Sequence, residues 1–245
     1  MKRVLDIAVS LVGLLIASPI ICLAMLLVWL GDFKSPLYIA PRVGKGEEIF
    51  KMVKLRSMIV NAEASGVDST GAGDSRITFV GRFIRKFKLD ELTQLWNVFK
   101  GEMSLVGPRP NVRAETDLYT EEEKRLLTVR PGITDFSSIV FSDEGDILAD
   151  KPDPDLSYNQ LIRPWKSRLG LFYIEKQCFT LDVKLVLFTV IAIMSRSKSL
   201  LLVHSELKRL GADQRLLQIS KRESNLLPHP PPGMDSIVTS RGDKR

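Results

Sequence analysis

A long uncharged run near the amino terminus constrains the fold of this chain more than any other feature. Residues 7–31 contain no Asp, Glu, Lys or Arg, and about 20 apolar residues are enough for a helix to cross a bilayer. Pro19 falls near the middle, where it removes a backbone hydrogen bond and disfavours a straight helix. Each half has about 12 residues, or roughly 18 Å of helix, which is too short to cross about 30 Å of hydrocarbon.

Basic residues flank this run on both sides: Lys2 and Arg3 before it, and Lys34, Arg42 and Lys45 after it. Because cytoplasmic flanks are enriched in Lys and Arg, both ends are expected in the cytoplasm. We therefore predict a re-entrant helix–break–helix over residues 1–33, with the break at Ser18 and Pro19. On these residues alone, a proline-kinked helix that spans the membrane is an equally good alternative.

The composition limits the kinds of site and reaction that this chain can support. The chain has 245 residues with a net charge of +6, which suits one globular domain with appendages and an anionic partner or surface. The two cysteines, Cys22 and Cys178, are far apart, and His204 and His229 are the only histidines. A disulfide framework, a His/Cys zinc set and a Ser-His-Asp triad are therefore not expected. Any nucleophilic or acid–base step is left to carboxylates.

Periodicity predicts a mostly helical chain with one small hairpin. A β-hairpin is expected over residues 37–58 and a loop over 61–75. Helices are expected over 77–87, 89–99, 119–127, 160–173 and 181–194, with a loop over 143–158. We assign residues 34–204 to one cytosolic domain and residues 205–245, which are polar and rich in proline near the end, to a disordered tail.

Adjacent carboxylates open one of these helices. Asp90 and Glu91 lie in its first turn, where a carboxylate can simply cap free amides. The same field keeps an aspartate ionised, as a carboxylate nucleophile requires. Arg82 and Arg85, one turn apart just before them, suit either a phosphate or lipid headgroups.

Two further basic motifs suit phosphate. Pro108 and Pro110 stiffen the backbone around Arg109, although turn formation alone would also explain the prolines. Lys54 and Arg56 alternate along the predicted hairpin and suit either a phosphate or a lipid headgroup.

Together these motifs resemble the bacterial sugar transferase family, the monotopic phosphoglycosyl transferases. The resemblance covers roughly residues 1–200, and its motifs occur in the expected order: Lys2-Arg3 with Asp6, Ser18-Pro19, Arg42-Val43-Gly44, residues 54–58, Arg76-Ile77-Thr78, residues 81–86, Leu89-Asp90-Glu91-Leu92, Gln94-Leu95 with Asn97-Val98, residues 100–110 and residues 129–134.

The resemblance implies an enzyme of the bacterial inner membrane, with an α+β domain that faces the cytoplasm and is carried on a re-entrant membrane helix. Such enzymes use Mg²⁺ to move a sugar 1-phosphate from a nucleotide sugar, most often a UDP-sugar, to undecaprenyl phosphate. They release a nucleoside monophosphate and initiate synthesis of an exopolysaccharide, a lipopolysaccharide or another glycoconjugate. The membrane, the polyprenol phosphate lipid and the nucleotide sugar are thus the expected partners, and a homodimer is allowed.

The resemblance also assigns roles. Asp90 becomes the nucleophile and forms a phosphosugar ester, and Asp90 and Glu91 together hold the metal. The expected phosphate-binding residues are Lys54, Arg56, Arg85, Pro108, Arg109, Pro110 and Arg130.

Two positions depart from the family pattern. Lys88 replaces a small hydroxyl residue, and residues 135–138 replace a glycine-and-tryptophan continuation, so the sugar is the least defined part of this prediction.

Two other classes of function remain as alternatives. A basic membrane-anchored scaffold without catalysis would use the same cations for lipids or partners. A nucleic-acid-binding protein would need aromatic side chains interleaved with its basic face. Only Phe83 and Phe87 lie near the cations, at a spacing that suits a core, so no nucleic-acid partner is expected.

Overall fold

The computed structural model describes residues 1–62, 70–71 and 73–240, and most of the loop predicted over 61–75 lies outside them. The helices are α1 (Lys2–Asp32), α2 (Phe79–Lys86), α3 (Leu89–Leu92), α4 (Leu95–Lys100), α5 (Arg113–Thr116), α6 (Phe136–Val140), α7 (Glu144–Leu148), α8 (Pro154–Ser157), α9 (Arg163–Lys176), α10 (Phe179–Met194), α11 (Arg196–Arg209) and α12 (Gln214–Lys221). The strands are β1 (Leu37–Val43), β2 (Ile49–Leu55), β3 (Ser104–Val106) and β4 (Gly132–Thr134).

The apolar amino-terminal run forms one helix. Helix α1 continues through Pro19 for 31 residues, so the predicted break at Ser18 and Pro19 does not divide it into two helices. It is long and apolar enough to cross a membrane by length and composition. Its buried residues, Asp6, Ser10, Ile21, Ala24 and Val28, recur at helical spacing. Helix α1 therefore packs along the domain through one stripe, while its other faces are exposed.

The first turns of α1 are held by charged side chains. The Lys2 ammonium lies 2.8 Å from an Asp182 carboxylate oxygen and also donates to the Tyr173 hydroxyl and the Val106 carbonyl. The Asp6 carboxylate accepts from the Leu105 amide at 2.9 Å. These bonds tie the start of α1 to β3 and α10.

The far end of α1 contacts the same domain. Asp32 accepts two hydrogen bonds from the Arg56 guanidinium, at 2.5 and 2.7 Å. One turn earlier, the buried Val28 packs with Leu55 of β2 and Leu89 of α3. Both ends of α1 thus lie against one globular unit.

The predicted hairpin is confirmed, because β1 and β2 pair antiparallel with Ala40 opposite Met52. A second pair, β3 and β4, is parallel. The main core lies between these strands and α6, α9, α10 and α11, and its largest fully buried side chains include Phe136, Tyr173 and Leu181. The sheets are small, so the fold is mostly helical, as expected.

Several helix boundaries differ from the prediction. The helix expected over 89–99 is divided into α3 and α4 at Thr93 and Gln94, and the loop expected over 143–158 contains α7 and α8. Thr120 and Glu123 form a capping box: the Thr120 hydroxyl accepts from the Glu123 amide, and the Glu123 carboxylate accepts from the Thr120 amide in return. This capping box opens a 3₁₀ helix at Glu123–Thr128.

The carboxyl-terminal region corrects the predicted disordered tail. Helix α11 runs past residue 204 to Arg209, and α12 follows. The segment after α12 is extended. It is bound to the domain through its carbonyl oxygens, which accept hydrogen bonds, since proline has no amide hydrogen to donate. Pro232 accepts from the Thr120 hydroxyl at 2.5 Å, and Val238 accepts from the Gln160 amide group at 2.7 Å. The chain is therefore packed on the domain as far as these contacts reach, and residues 241–245 lie outside the described part.

The buried carboxylate of α1 gives a stability prediction. Asp6→Ala leaves the Leu105 amide without its acceptor, so we expect the free energy of unfolding to fall by about 1–3 kcal/mol. For a chain of this size the melting temperature should fall by about 2–4 °C per kcal/mol, measured by thermal unfolding in detergent micelles. Asp6→Asn keeps an acceptor oxygen and should lose less, and Asp117→Ala is an exposed control. A melting temperature for Asp6→Ala equal to that of the control would contradict this role.

Candidate active site

Many charged side chains line a cleft of about 360 Å³. It lies where β2, α3 and the Pro-Arg-Pro loop meet α6, α7 and the start of α9. Six residues selected from the sequence line it: Lys54, Arg85, Asp90, Glu91, Arg109 and Pro110. Residues far apart in the sequence are thus brought together at one site.

Local hydrogen bonds place α3 against β2. The Thr93 hydroxyl donates to the Val53 carbonyl at 3.1 Å. The buried Asn97 side chain accepts from the Val53 amide at 3.0 Å and donates to the Lys51 carbonyl at 2.7 Å. Because these bonds fix α3 and α4 to the strand that carries Lys54, its ammonium and the carboxylates of α3 share one wall.

Two glycines position the Pro-Arg-Pro loop. The Gly107 amide donates to the Thr134 carbonyl, and the Gly132 amide donates to the Pro108 carbonyl, both at 2.9 Å. A Cβ on Gly107 would lie 2.5 Å from the Arg130 carbonyl oxygen, and one on Gly132 would lie 2.1 Å from the Gly107 nitrogen. Only glycine allows this approach, and it fixes the point from which Arg109 extends.

Arg109 forms an ion pair with one of the two adjacent carboxylates. Its guanidinium lies 2.8 Å from Glu91 Oε1 and donates to the Ile133 carbonyl at 3.2 Å. Burial alone would raise the pKa of Glu91, but the charges of Arg109, Lys88 and Lys54 outweigh it and hold the pKa below its usual value. Glu91 is therefore an ionised and fixed carboxylate.

Asp90 lies in a different environment. Its Oδ1 atom is shielded from solvent and accepts no hydrogen bond from any residue that the structure describes. Burial raises the pKa of Asp90; the Lys54 ammonium opposes this rise and the Glu91 carboxylate adds to it. The two neighbours thus differ: Glu91 is paired, whereas Asp90, which also lines the cleft, has an oxygen without a partner.

Three cations face the same cleft. Within the described ranges, the side chains of Lys54, Arg85 and Lys88 make no hydrogen bond or ion pair. Burial and the charge of Arg109 lower the pKa of Lys54 to about 8, despite the opposing effect of Asp90. Lys88 has a left-handed backbone, with φ of 55°, directly before α3. Unpaired cations around a free carboxylate can bind a substrate that carries several negative charges.

Three predicted phosphate ligands lie elsewhere. The Arg56 guanidinium is buried and engaged by Asp32, so it anchors α1. Arg130 is exposed and donates to the Gly101 carbonyl at 2.8 Å. Pro108 does not line this cleft and lies behind it, close to Gly170 of α9. None of the three lines the cleft, and their assignment as phosphate ligands stays a prediction.

The wall of the cleft opposite Asp90 and Glu91 contains no residue that was expected in the site from the sequence. Ser138, Ser142, Glu144, Tyr158 and Lys166 line the cleft from α6, the following loop, α7 and the region of α9. Glu144 and Tyr158 lie in a segment predicted to be a loop, and no motif distinguished the others. Only the departure from the family pattern at residues 135–138 pointed towards this region.

Comparison with known proteins agrees with this geometry. The sequence model described as "Bacterial sugar transferase" matches residues 1–196. A Bacillus subtilis protein with the provisional name undecaprenyl-phosphate N-acetylgalactosaminyl 1-phosphate transferase is 45% identical over 133 residues, covering 54% of this chain and 70% of its own length.

More distant relatives carry similar names. The UDP-N-acetylgalactosamine-undecaprenyl-phosphate N-acetylgalactosaminephosphotransferase of Aeromonas hydrophila is 34% identical, covering 79% of this chain and 44% of its own. The UDP-glucose:undecaprenyl-phosphate glucose-1-phosphate transferase of Caulobacter vibrioides is 31% identical, covering 79% of this chain and 70% of its own. Because the family model spans most of the sequence, the chain belongs to the bacterial sugar transferase family of enzymes.

Proposed function

We propose that this protein transfers a sugar 1-phosphate from a UDP-sugar to undecaprenyl phosphate and releases UMP. The reaction would initiate assembly of a surface polysaccharide or another glycoconjugate. The observation that carries the proposal is the meeting, in one cleft, of the free Asp90 carboxylate with unpaired cations. The names of the relatives, which specify undecaprenyl phosphate and, for some, a UDP-sugar, support the two substrates.

The proposed reaction has two steps. An Asp90 oxygen attacks the phosphorus that bears the sugar, the bond from that phosphorus to the bridging oxygen of UMP breaks, and an aspartyl phosphosugar ester forms. A phosphate oxygen of undecaprenyl phosphate then attacks the same phosphorus, and the bond to Asp90 breaks. Lys54, Arg85 and Lys88 would neutralise the phosphate oxygens in both steps.

The two carboxylates would divide the work. Glu91 is already paired with Arg109, so it would keep that guanidinium oriented towards the phosphate. The raised pKa of Asp90 means that its nucleophilic form is lost on acidification at a higher pH than for an ordinary aspartate. The nearby cations Lys54, Arg85 and Lys88 oppose this rise and favour the ionised form.

Magnesium fits the residues of the cleft. Asp90 has an unpartnered, shielded oxygen and Glu91 lies beside it, and Mg²⁺ prefers one or two carboxylates together with substrate phosphates. No cluster of three or more His, Cys, Asp or Glu side chains occurs within the part of the chain that the structure describes, so phosphate oxygens and water would complete its coordination. When bound, the ion would supply positive charge to the diphosphate.

We propose that α1 lies in the cytoplasmic leaflet without crossing the bilayer. Its two ends contact the same domain, through Lys2 and Asp32, whereas a spanning helix would carry its ends to opposite sides. The outer face of α1 offers Leu15 and Ile16, which are 75% and 73% exposed. This placement puts the cleft on the inner-membrane side where the polyprenol phosphate headgroup lies.

Topology can be measured by cysteine labelling. We expect an impermeant maleimide added to spheroplasts to reach neither a cysteine inserted after Met1 nor one at Lys45→Cys, with Cys22 and Cys178 replaced by serine. Both positions should label once the membrane is permeabilised, which is the control. Labelling of the amino-terminal cysteine alone from outside would show that α1 spans the membrane, and labelling of both would reverse the proposed orientation.

Covalent catalysis predicts an adduct before any lipid is added. Enzyme mixed with a UDP-sugar and Mg²⁺ and quenched in acid should carry a sugar phosphate on the peptide that contains Asp90, detected by mass spectrometry. Asp90→Asn removes the nucleophile and should abolish both the adduct and turnover while the protein remains folded. Asp117→Asn, an exposed aspartate outside the cleft, is the matched control. Turnover by Asp90→Asn would exclude this residue as the nucleophile.

The lowered pKa of Lys54 predicts that activity falls at alkaline pH. Its ammonium is charged below its pKa of about 8 and neutral above it, so kcat/KM for the donor should fall as the pH rises through that value. Lys54→Arg keeps the charge at high pH and should remove this fall. Lys51→Arg, an exposed change on the same strand, should leave it in place. An unchanged alkaline fall in Lys54→Arg would show that Lys54 does not bind the donor phosphates.

A further inference from the structure

The wall of the cleft opposite the dyad has no role in the reaction described above. Ser138, Ser142, Glu144, Tyr158 and Lys166 line it. Hydroxyl, carboxylate and ammonium groups provide both donors and acceptors of hydrogen bonds, which are what a ligand rich in hydroxyl groups requires.

The charges on this wall cancel each other. Lys166 and Glu144 form an ion pair, and the Lys166 ammonium also lies 5.4 Å from the centre of the Tyr158 ring. Burial would raise the pKa of Glu144, but Lys166 and then Arg109 outweigh it and keep the pKa low. This wall therefore differs from the opposite one, where the cations Lys54 and Arg85 are unpaired.

The interactions of Arg109 indicate that the wall with the Glu144–Lys166 ion pair lies next to the reacting centre. Its charge acts on Glu91, to which it is paired, and also on Glu144 across the cleft. In a nucleotide sugar, the sugar is bonded through one oxygen to the phosphorus that Asp90 would attack. The sugar must therefore lie beside the dyad, and the unpaired cations suit the two phosphates better than the neutral wall does.

We propose that the Glu144–Lys166 pair binds the sugar of the donor and selects uncharged hexoses or N-acetylhexosamines over hexuronic acids. The inference rests on the proposed function, because it takes a nucleotide sugar as the ligand. Hydroxyl or acetamido groups can bond to both members of the pair without breaking it. A sugar carboxylate would compete with Glu144 for Lys166 and would meet its negative charge.

Contacts behind the wall hold it in place. Asp143, adjacent to Glu144, is paired with Arg196 at 2.8 Å and with Arg222 at 3.1 Å. The Arg222 guanidinium also lies 5.3 Å from the centre of the Phe141 ring. These contacts from α11 and the end of α12 hold the wall in one position. A fixed wall can distinguish an uncharged sugar from a hexuronic acid, whereas a mobile wall would adapt to both.

The test compares affinities of the full-length protein in detergent for three ligands: a UDP-N-acetylhexosamine, a UDP-hexuronic acid and UDP itself, measured by calorimetry. Glu144→Gln leaves Lys166 uncompensated, so the affinity for the hexuronic acid relative to the hexosamine should rise about tenfold, while UDP binding stays within about twofold. Lys166→Met should shift the ratio in the opposite direction. Glu121→Gln and Lys124→Met, which change an exposed ion pair outside the cleft, are matched controls.

The outcomes separate this inference from the proposed function. An unchanged ratio in both cleft variants, or a parallel change in UDP affinity, would overturn the assignment of the wall to the sugar. A shifted ratio in a protein that forms no covalent adduct and transfers no sugar would uphold the assignment and overturn the proposed reaction. Wild-type protein that binds none of the three ligands would overturn both.

Discussion

The structure depends on the way the first turns of α1 are tied to α9 and α10, which lie more than 170 residues later in the chain. Lys2 reaches a buried cluster formed by Asp182, Tyr173 and the Val106 carbonyl. A buried carboxylate without its partner costs several kcal/mol, so each member of this cluster requires the others. Once α1 is fixed at this end, its buried stripe lies along the domain, and its last turns pack beneath α3. Helix α1, which is long and apolar enough to cross a membrane, is thus also the support of the dyad.

Two adjacent carboxylates in one cleft acquire different properties because only one of them has a partner. The Arg109 guanidinium stabilises ionised Glu91, whereas Asp90 is desolvated and retains a free oxygen. Environments that separate the pKa values of two like groups allow them to take different roles. The separation depends on the backbone at Gly107 and Gly132, where the close approach of β3 and β4 fixes the origin of the Arg109 loop.

Local sequence predicted the elements whose signals are local. The hairpin and the helix that opens at Asp90 and Glu91 both follow from patterns within a few residues. The break predicted at Ser18 and Pro19 does not divide α1, because packing along the domain supports one continuous helix. The sequence alone does not show this packing.

Long-range contacts account for the other differences. Arg56 and Arg130 have the charge of phosphate ligands, but Asp32 and the Gly101 carbonyl, both distant in sequence, bind them instead. The carboxyl-terminal region reads as polar and disordered, yet hydrogen bonds from Thr120 and Gln160 hold it in place.

The distance along the chain between Lys2 and Asp182 has a consequence for biosynthesis. The two residues are 180 positions apart, and at a synthesis rate of about 5–20 residues per second roughly 10–35 s separate their appearance. During that interval Lys2 lacks its carboxylate partner, although α2, α3, α4 and β3, which pack along α1, have already been made. The charged anchor at the start of α1 is therefore completed only after the segments that pack along the rest of the helix have been synthesised.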